Sequence, residues 1–423
     1  MKKYFLAVAS FFIYSHISLG QVYPGQMDST FVPVRSHHYD PELTFDFCVN
    51  EPAWNNQAGI HSAFGSTDRL YFRKEVPVNH NNDLSSSYST TVWRGERANA
   101  QILVWSSEAL EQVRVSTQDL RSAEGNIIPK DRITFELVRY VLSNYPYAEK
   151  KAICGESPYK SGFLMPDRFE TLDRFDLPSQ TTRPVWMMVD VPRGTAPGTY
   201  KGQVEVRAKG KAPQLLNLEI VVQKQLLPYP KDWKYRLDLW QNPWAVAWYN
   251  HVEPWSPEHK MLLKQHLKHY ADAGGTYITT YGVHSPWSDN SYMIEGGMIE
   301  WIKKADGTWA FDYKIFDEYV ELAMECGIDE AITLYTPIPW GFRHRYKDEA
   351  TGDYSYINWA PSSEEFKKMW NIFLTDFKFH LEAKSWLDIT YIGINENPME
   401  ETLAAIHVVR NHDKCWKITY AGN

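Results

Sequence analysis

The sequence is poor in the residues that mark several common chemistries. Four cysteines stand among 423 residues, none in a C-x-x-C pair, and no H-E-x-x-H signature occurs. Metal centres need ligands at such spacings, so neither a metal site nor a cofactor is expected. A glycine-rich phosphate loop and a nucleophile elbow are also missing, which argues against nucleotide binding and serine-nucleophile chemistry. Positive charge is in deficit, with a formal net charge of −8. Nucleic acid and anionic membrane surfaces both reward a basic face, so neither is an expected partner. Beyond the N-terminus no apolar run is long enough to cross a bilayer, and no membrane insertion is expected.

The four thiols fit no staple pattern. Cys48 and Cys154 are a conceivable pair in an exported protein, while Cys326 and Cys415 lie in helix and strand patterns and read as isolated buried thiols.

The N-terminus is MKKYFLAVASFFIYSHISLGQ: two lysines, a short apolar core, then small residues. That is the layout of a secretory signal over residues 1–20. Gln21 stands where a lipoprotein would carry cysteine, so the expectation is a secreted or periplasmic protein without an acyl anchor.

Aromatics are abundant, at 17 Trp and 26 Tyr. Indole faces suit the flat C–H patches of sugars but also fill cores, so composition alone only inclines towards carbohydrate.

From residue 21 to about 230 the chain alternates short apolar-polar strands with turn signals such as AEGN and RGTAPGTY, the pattern of an antiparallel β-sandwich. The stretch TTVWRGERANAQ in this half reads as an ion-paired strand start. The proline-punctuated KQLLPYPKDWKY ends the alternation and is taken as the domain boundary. From 231 to 423 strands alternate with amphipathic helices, the mark of repeated βα units. Strands are expected at 235–240, TYITTYG, AITLYTP, DITYIGI and CWKITYA, with helices over 257–273, 313–326, 362–381 and 398–410. Asp306-Gly307 reads as a hairpin tip. His266 and His269 share a helical face turned to solvent, and Lys303, Lys304 and 343–345 read as solvated charge. Five strands are fewer than the eight of a closed barrel, so the expected form is an incomplete (β/α) TIM-like barrel.

Function is expected at the carboxyl ends of these strands. The apolar run ending at Ile394 stops abruptly in Asn395-Glu396-Asn397-Pro398, with Pro398 suited to open a helix. That places Glu396 in a strand-to-helix turn. The other strand ends contribute Asp238, Trp240, Gln241 and Trp244, then Tyr281, His284, Trp287 and Asp289, then Tyr335 and Trp340. An aromatic ring around one carboxylate suits glycoside chemistry, where a carboxylic acid protonates the leaving oxygen and apolar walls raise its pKa. A bland alternative stands beside it: a lone Glu at a strand end can simply favour the following helix dipole.

Several segments in order, LDLWQNPWAVAWY, TYITTYGVHSPW, WIKKADGTWAFDYKIFDEYVE, TLYTPIPW and YIGINENPMEETLAAI, resemble glycoside hydrolase family 123. WRGERANAQ resembles that family's preceding β-sandwich. The resemblance implies removal of a terminal β-linked N-acetylgalactosamine from a glycan. It implies a retaining mechanism in which the substrate's own 2-acetamido group is the nucleophile. It also implies an adjacent Asp-Glu pair, with Glu as acid/base and Asp holding the acetamide and the cationic intermediate. Glu396 matches the Glu, but Asn395 stands for the Asp and Asn397 for the Arg that usually follows. Asn395 brings no negative charge, so the expectation is a weakened hydrolase in which another carboxylate such as Asp289 could compensate. The alternatives are an impaired amino-sugar-binding pseudoenzyme and an inactive gene fragment.

Overall fold

The structure, a computed structural model, describes residues 51–79, 84–143, 163–287 and 296–422. The signal expected over residues 1–20, Cys48, Cys154 and Asp289 lie outside the described residues. The rest divides into two compact units, one ending at Leu227 and one beginning at Pro228.

The first unit is built from twelve strands. They are β1 (His61–Gly65), β2 (Ser87–Arg94), β3 (Arg97–Ser106), β4 (Leu110–Thr117), β5 (Leu120–Ser122), β6 (Ile127–Ile128) and β7 (Ile133–Ser143), followed by β8 (Phe163–Glu170), β9 (Phe175–Leu177), β10 (Thr181–Asp190), β11 (Gly198–Arg207) and β12 (Gln214–Leu226). One sheet runs β1-β3-β10-β7-β8 and the other β2-β12-β11-β4-β9, with β5 beside β11 and β6 beside β5. Alternation along the strands aims Ala100, Ile102 and Val104 of β3 at Val204, Val206, Leu218 and Ile220 of the facing sheet, which together form the core.

One pairing departs from the antiparallel expectation: β2 lies parallel to β12. The chain passes between sheets at Arg94–Arg97, where Gly95 has a φ of 83°. β2 therefore adds to the far edge of the second sheet instead of pairing with β3. Arg97 pairs there with Asp190 at 2.6 Å, as an ion-paired strand start should.

The second unit centres on a parallel sheet in the order β13 (Tyr277–Tyr281), β16 (Ala331–Tyr335), β19 (Thr390–Ile394) and β20 (Lys417–Tyr420). Helices intervene: α1 (Pro243–Asn250), α2 (Pro257–Asp272), α3 (Lys314–Glu325), α4 (Glu364–Lys384) and α5 (Met399–His412). Pro243 and Pro257 open their helices, and Asn242 and Ser256 cap them. The strand expected at 235–240 is reduced to a single parallel bridge between Leu237 and Gly275. Its flanking residues, Tyr235, Arg236 and Leu239, are exposed, so little apolar burial holds that segment in a ladder. The described residues thus form an open four-stranded parallel sheet.

A second sheet, β15-β14-β17-β18, joins two hairpins. The first, β14 (Glu300–Lys303) with β15 (Trp309–Asp312), turns at Asp306-Gly307 as the sequence indicates. The second, β17 (Arg343–Asp348) with β18 (Tyr354–Asn358), was not expected. Arg345, read as solvated, is largely covered and sits 3.6 Å from Glu300. Cys326 is buried, but Cys415 is exposed at the turn before β20.

Eight of the 17 tryptophans go to packing rather than to a binding surface. Trp54, Trp244, Trp287, Trp301, Trp359, Trp370, Trp386 and Trp416 are all buried. Trp301 stacks on Phe373 at 4.8 Å and Phe373 on Phe377 at 5.3 Å, a column that fixes α4 against the hairpin sheet. His344 is buried in the same core. Its Nε2 accepts from the Trp370 indole at 3.2 Å and its Nδ1 donates to the Phe342 carbonyl at 3.0 Å. Burial pulls its pKa down from 6.5 to about 4.

In the unfolded chain this histidine takes a proton near its ordinary value, before the folded one does. Its contribution to stability is therefore full above pH 6.5 and is lost as pH falls towards 4. The gap corresponds to roughly 3 kcal/mol. Urea midpoints should fall between pH 7 and pH 4.5, and a midpoint constant over that range would rule the effect out.

Candidate active site

β19 is a buried, β-branched strand that ends in a sharp turn, and the turn is tied to its neighbour. Asn395 is fully buried at the strand's carboxyl end. Its Oδ1 accepts from Thr336 Oγ1 at 3.3 Å, at the exit of β16, and from Asn397 Nδ2 at 2.8 Å. Asn397 Nδ2 also donates to the Ile338 carbonyl at 3.0 Å, and Thr402 of α5 donates to the Asn397 carbonyl at 3.2 Å. Two donors converging on one atom fix the orientation of the Asn395 amide. Among the described residues its Nδ2 is left buried with no acceptor. A buried donor without a partner costs about 1–3 kcal/mol, so this group is kept at the expense of stability.

Glu396 follows on the outside of the turn and is exposed. Pro398 then caps α5, whose first turn carries Glu400 and Glu401 in favourable dipole positions. Among the described residues no aromatic wall encloses Glu396, and the aromatics expected there pack chiefly on one another.

Trp240 lies face to face with Trp287 at 4.8 Å and edge-on to Tyr335 at 5.0 Å. Its indole donates to the Tyr335 hydroxyl at 3.0 Å. Tyr281 meets Trp287 at 5.2 Å, and Trp244 meets Tyr281 at 5.2 Å. Within this stack only Trp240 keeps a large free surface, at 45% exposure. Tyr335 lies over Gly393, where an added Cβ would come within 2.9 Å of the ring. The strand thus needs glycine two residues before Asn395.

The other expected residues have mixed roles. Gln241 is a brace: its Oε1 accepts from the Thr279 amide at 2.9 Å, and its carbonyl accepts from the Tyr281 hydroxyl at 3.1 Å. His284 is buried, and burial together with Arg345 and Arg343 pushes its pKa well below the usual range, so it is neutral. Trp340 is half-buried, with its amide bonded to the Pro286 carbonyl at 3.0 Å. Asp238 is half-buried, and its Oδ1 has no partner among the described residues. Burial raises its carboxyl above the ordinary range. The Tyr335 hydroxyl is pushed up to about 12 by burial and by the charge of Asp238, so it keeps its proton.

The structure therefore brings Trp240, Trp287, Tyr335, Tyr281 and Trp244 into one stack. Asn395 is linked to it through Thr336, the residue after Tyr335. Thr336 is one of the polar groups that the sequence places at the end of its strand, whereas the role of Asn397 in orienting Asn395 was not expected. Polar residues at the exit of an apolar strand were the available signal.

Residues 240–423 match the family model "Glycoside hydrolase 123, catalytic domain", and residues 64–208 match "Glycoside hydrolase 123 N-terminal domain". Among solved structures, the chain is similar to a family 123 glycoside hydrolase from Clostridium perfringens, studied for glycolipid glycan hydrolysis. The identity is 26% and the TM-score 0.76, covering 86% of this chain and 64% of that one. This chain therefore spans less than two thirds of that enzyme's length. A family 39 glycoside hydrolase from Bacteroides cellulosilyticus aligns at 13% identity and a TM-score of 0.24, covering 72% of this chain and 47% of that one. No curated protein sequence matches.

Proposed function

The chain belongs to glycoside hydrolase family 123, and on that premise we propose that it is an exported enzyme that removes a terminal β-linked N-acetylgalactosamine. The parallel βα units are read as part of a TIM-like barrel, with Glu396 and Asn395 at its carboxyl edge. Glu396 is the acid/base. Its proton goes to the glycosidic oxygen as the acetamido oxygen attacks the anomeric carbon, the bond to the aglycone breaks, and a cyclic oxazolinium forms. The resulting carboxylate takes a proton from water, which opens the ring with net retention. The observation that carries this reading is the Asn395-Glu396 turn, with one residue buried and oriented and the other free to meet a substrate.

A second reading, binding without turnover, is favoured by the sense of the free Asn395 group. The mechanism needs an acceptor for the acetamido N–H. The acceptor of Asn395 is already taken by Thr336 and Asn397, and what remains open is a donor. The side-chain oxygen of Asn395 has no free lone pair with which to accept from the acetamido N–H. Binding without release follows on this second reading.

Release of an aryl N-acetyl-β-galactosaminide, followed by NMR of the first-formed anomer, tests the proposal. Retention with measurable turnover upholds hydrolysis. Tight binding of N-acetylgalactosamine with no release in a folded protein leaves the binding reading. Trp240→Ala should raise KM about tenfold with little change in kcat if this indole is a sugar platform. An unchanged KM would make it packing.

A further inference from the structure

We propose that the sandwich unit carries a glycan-binding cleft of its own, selective for neutral, methyl-bearing saccharides. The cleft arises because β9 is short. It pairs with β4 only at Leu110 and Val113, and the chain turns away at Leu172 and Asp173. Past Val113 the space between β4 and β7 is open, and Val115 and Phe135, which pack on the core, remain partly uncovered. The opening has a volume of about 560 Å³, within the range of small-molecule sites.

Its lining selects a ligand class. Arg114 and Lys130 face Asp131 and Asp173, two charges of each sign, and Arg114 is paired with Asp173 at 2.8 Å. A site with no net charge does not favour an anion or a cation. Ser116 and Gln118 add groups that both donate and accept. Mixed donors and acceptors around an aromatic floor match a sugar, whose hydroxyls do both and whose C–H face packs on a ring such as Phe135.

Beneath this opening, between Val113, Phe135, Phe175 and Val185, lies an apolar recess of about 20 Å³. That is room for one water-sized group. Seven of its eight lining residues are apolar, and the eighth, Asp173, is already engaged by Arg114, so a methyl group packs there on side-chain carbon while a hydroxyl meets only a carboxylate held by its arginine. An N-acetylated sugar should therefore bind better than its hydroxyl counterpart. The cleft lies wholly in the first unit and does not depend on the reading of Asn395 and Glu396.

The test is photolabelling of the full chain with a diazirine glycoside of N-acetylgalactosamine, followed by peptide mapping. Labels on 114–118 and 130–135 are expected. Gln118→Ala with Asp131→Ala, both at exposed positions, should cut that labelling about tenfold. The hydrolytic activity should be unchanged. Free N-acetylgalactosamine should compete better than galactose. Labels confined to 240–423, or cleft labels that ignore the double substitution, would overturn the site. Equal competition by galactose would overturn the methyl selectivity.

Discussion

Glu396→Gln should lower hydrolysis of an N-acetyl-β-galactosaminide with a sugar leaving group by roughly 10²–10⁴, the usual contribution of a general acid/base. Gln has the same shape but no proton to give and no charge with which to take one back from water. The loss should be smaller for a nitrophenyl glycoside, because that leaving group departs with little protonation, and comparing the two separates acid catalysis from simple damage. Glu396 is exposed, so the substitution should change stability by no more than about 0.5 kcal/mol. Circular dichroism and a urea titration check this. A folded variant that keeps activity within a few-fold on both substrates would remove Glu396 from the mechanism.

The second large effect runs the other way. Asn395→Asp should raise activity tenfold or more. One carboxylate oxygen would take over the bonds from Thr336 and Asn397 that Oδ1 accepts now. The other would replace the unpartnered Nδ2, turning a donor of the wrong sense into a charged acceptor for the acetamido N–H. A charge-assisted hydrogen bond of that kind contributes about 1.5–3 kcal/mol, and each 1.36 kcal/mol taken from the barrier is a factor of about ten. The same oxygen has no partner before substrate arrives, so a stability loss of about 1–3 kcal/mol should accompany the gain. The measurement is kcat/KM alongside the urea midpoint. A folded Asn395→Asp protein no faster than the parent would mean that this position does not hold the acetamide. The compensating carboxylate would then have to be sought elsewhere. Asp238 is a candidate, since it too carries a half-buried carboxyl oxygen without a partner and acts on the Tyr335 hydroxyl.

The elements that carry the site were legible because local chemistry specifies them. The β-branched runs Tyr277–Tyr281, Ala331–Tyr335 and Thr390–Ile394 are strands. Pro398 followed by apolar positions at helical spacing is α5, and Asp306-Gly307 turns a hairpin. The β17–β18 hairpin was not legible because no apolar alternation marks it. It is held by cross-strand cation–aromatic pairs, Arg343 over Tyr356 at 3.8 Å and Arg345 over Tyr354 at 4.2 Å, in a segment that reads as solvated charge. Likewise the tryptophan count could not separate sugar platforms from core, since both want the same indole, and packing buried eight of the 17.

The sequence by itself determined the alternation of strands and helices from β13 to β20 within the parallel sheet, the place of Glu396 in a strand-to-helix turn, and the absence of a carboxylate at Asn395. These follow from side-chain periodicity, proline geometry and residue identity, all of which act within a few residues. The tertiary structure alone decided that Glu396 is exposed while Asn395 is buried, and that the acceptor of Asn395 is spent while its donor is free. Those outcomes depend on Thr336, 59 residues away, and on how two adjacent strands end. Burial and hydrogen-bond partnership are properties of groups brought together by the fold, so no local pattern encodes them.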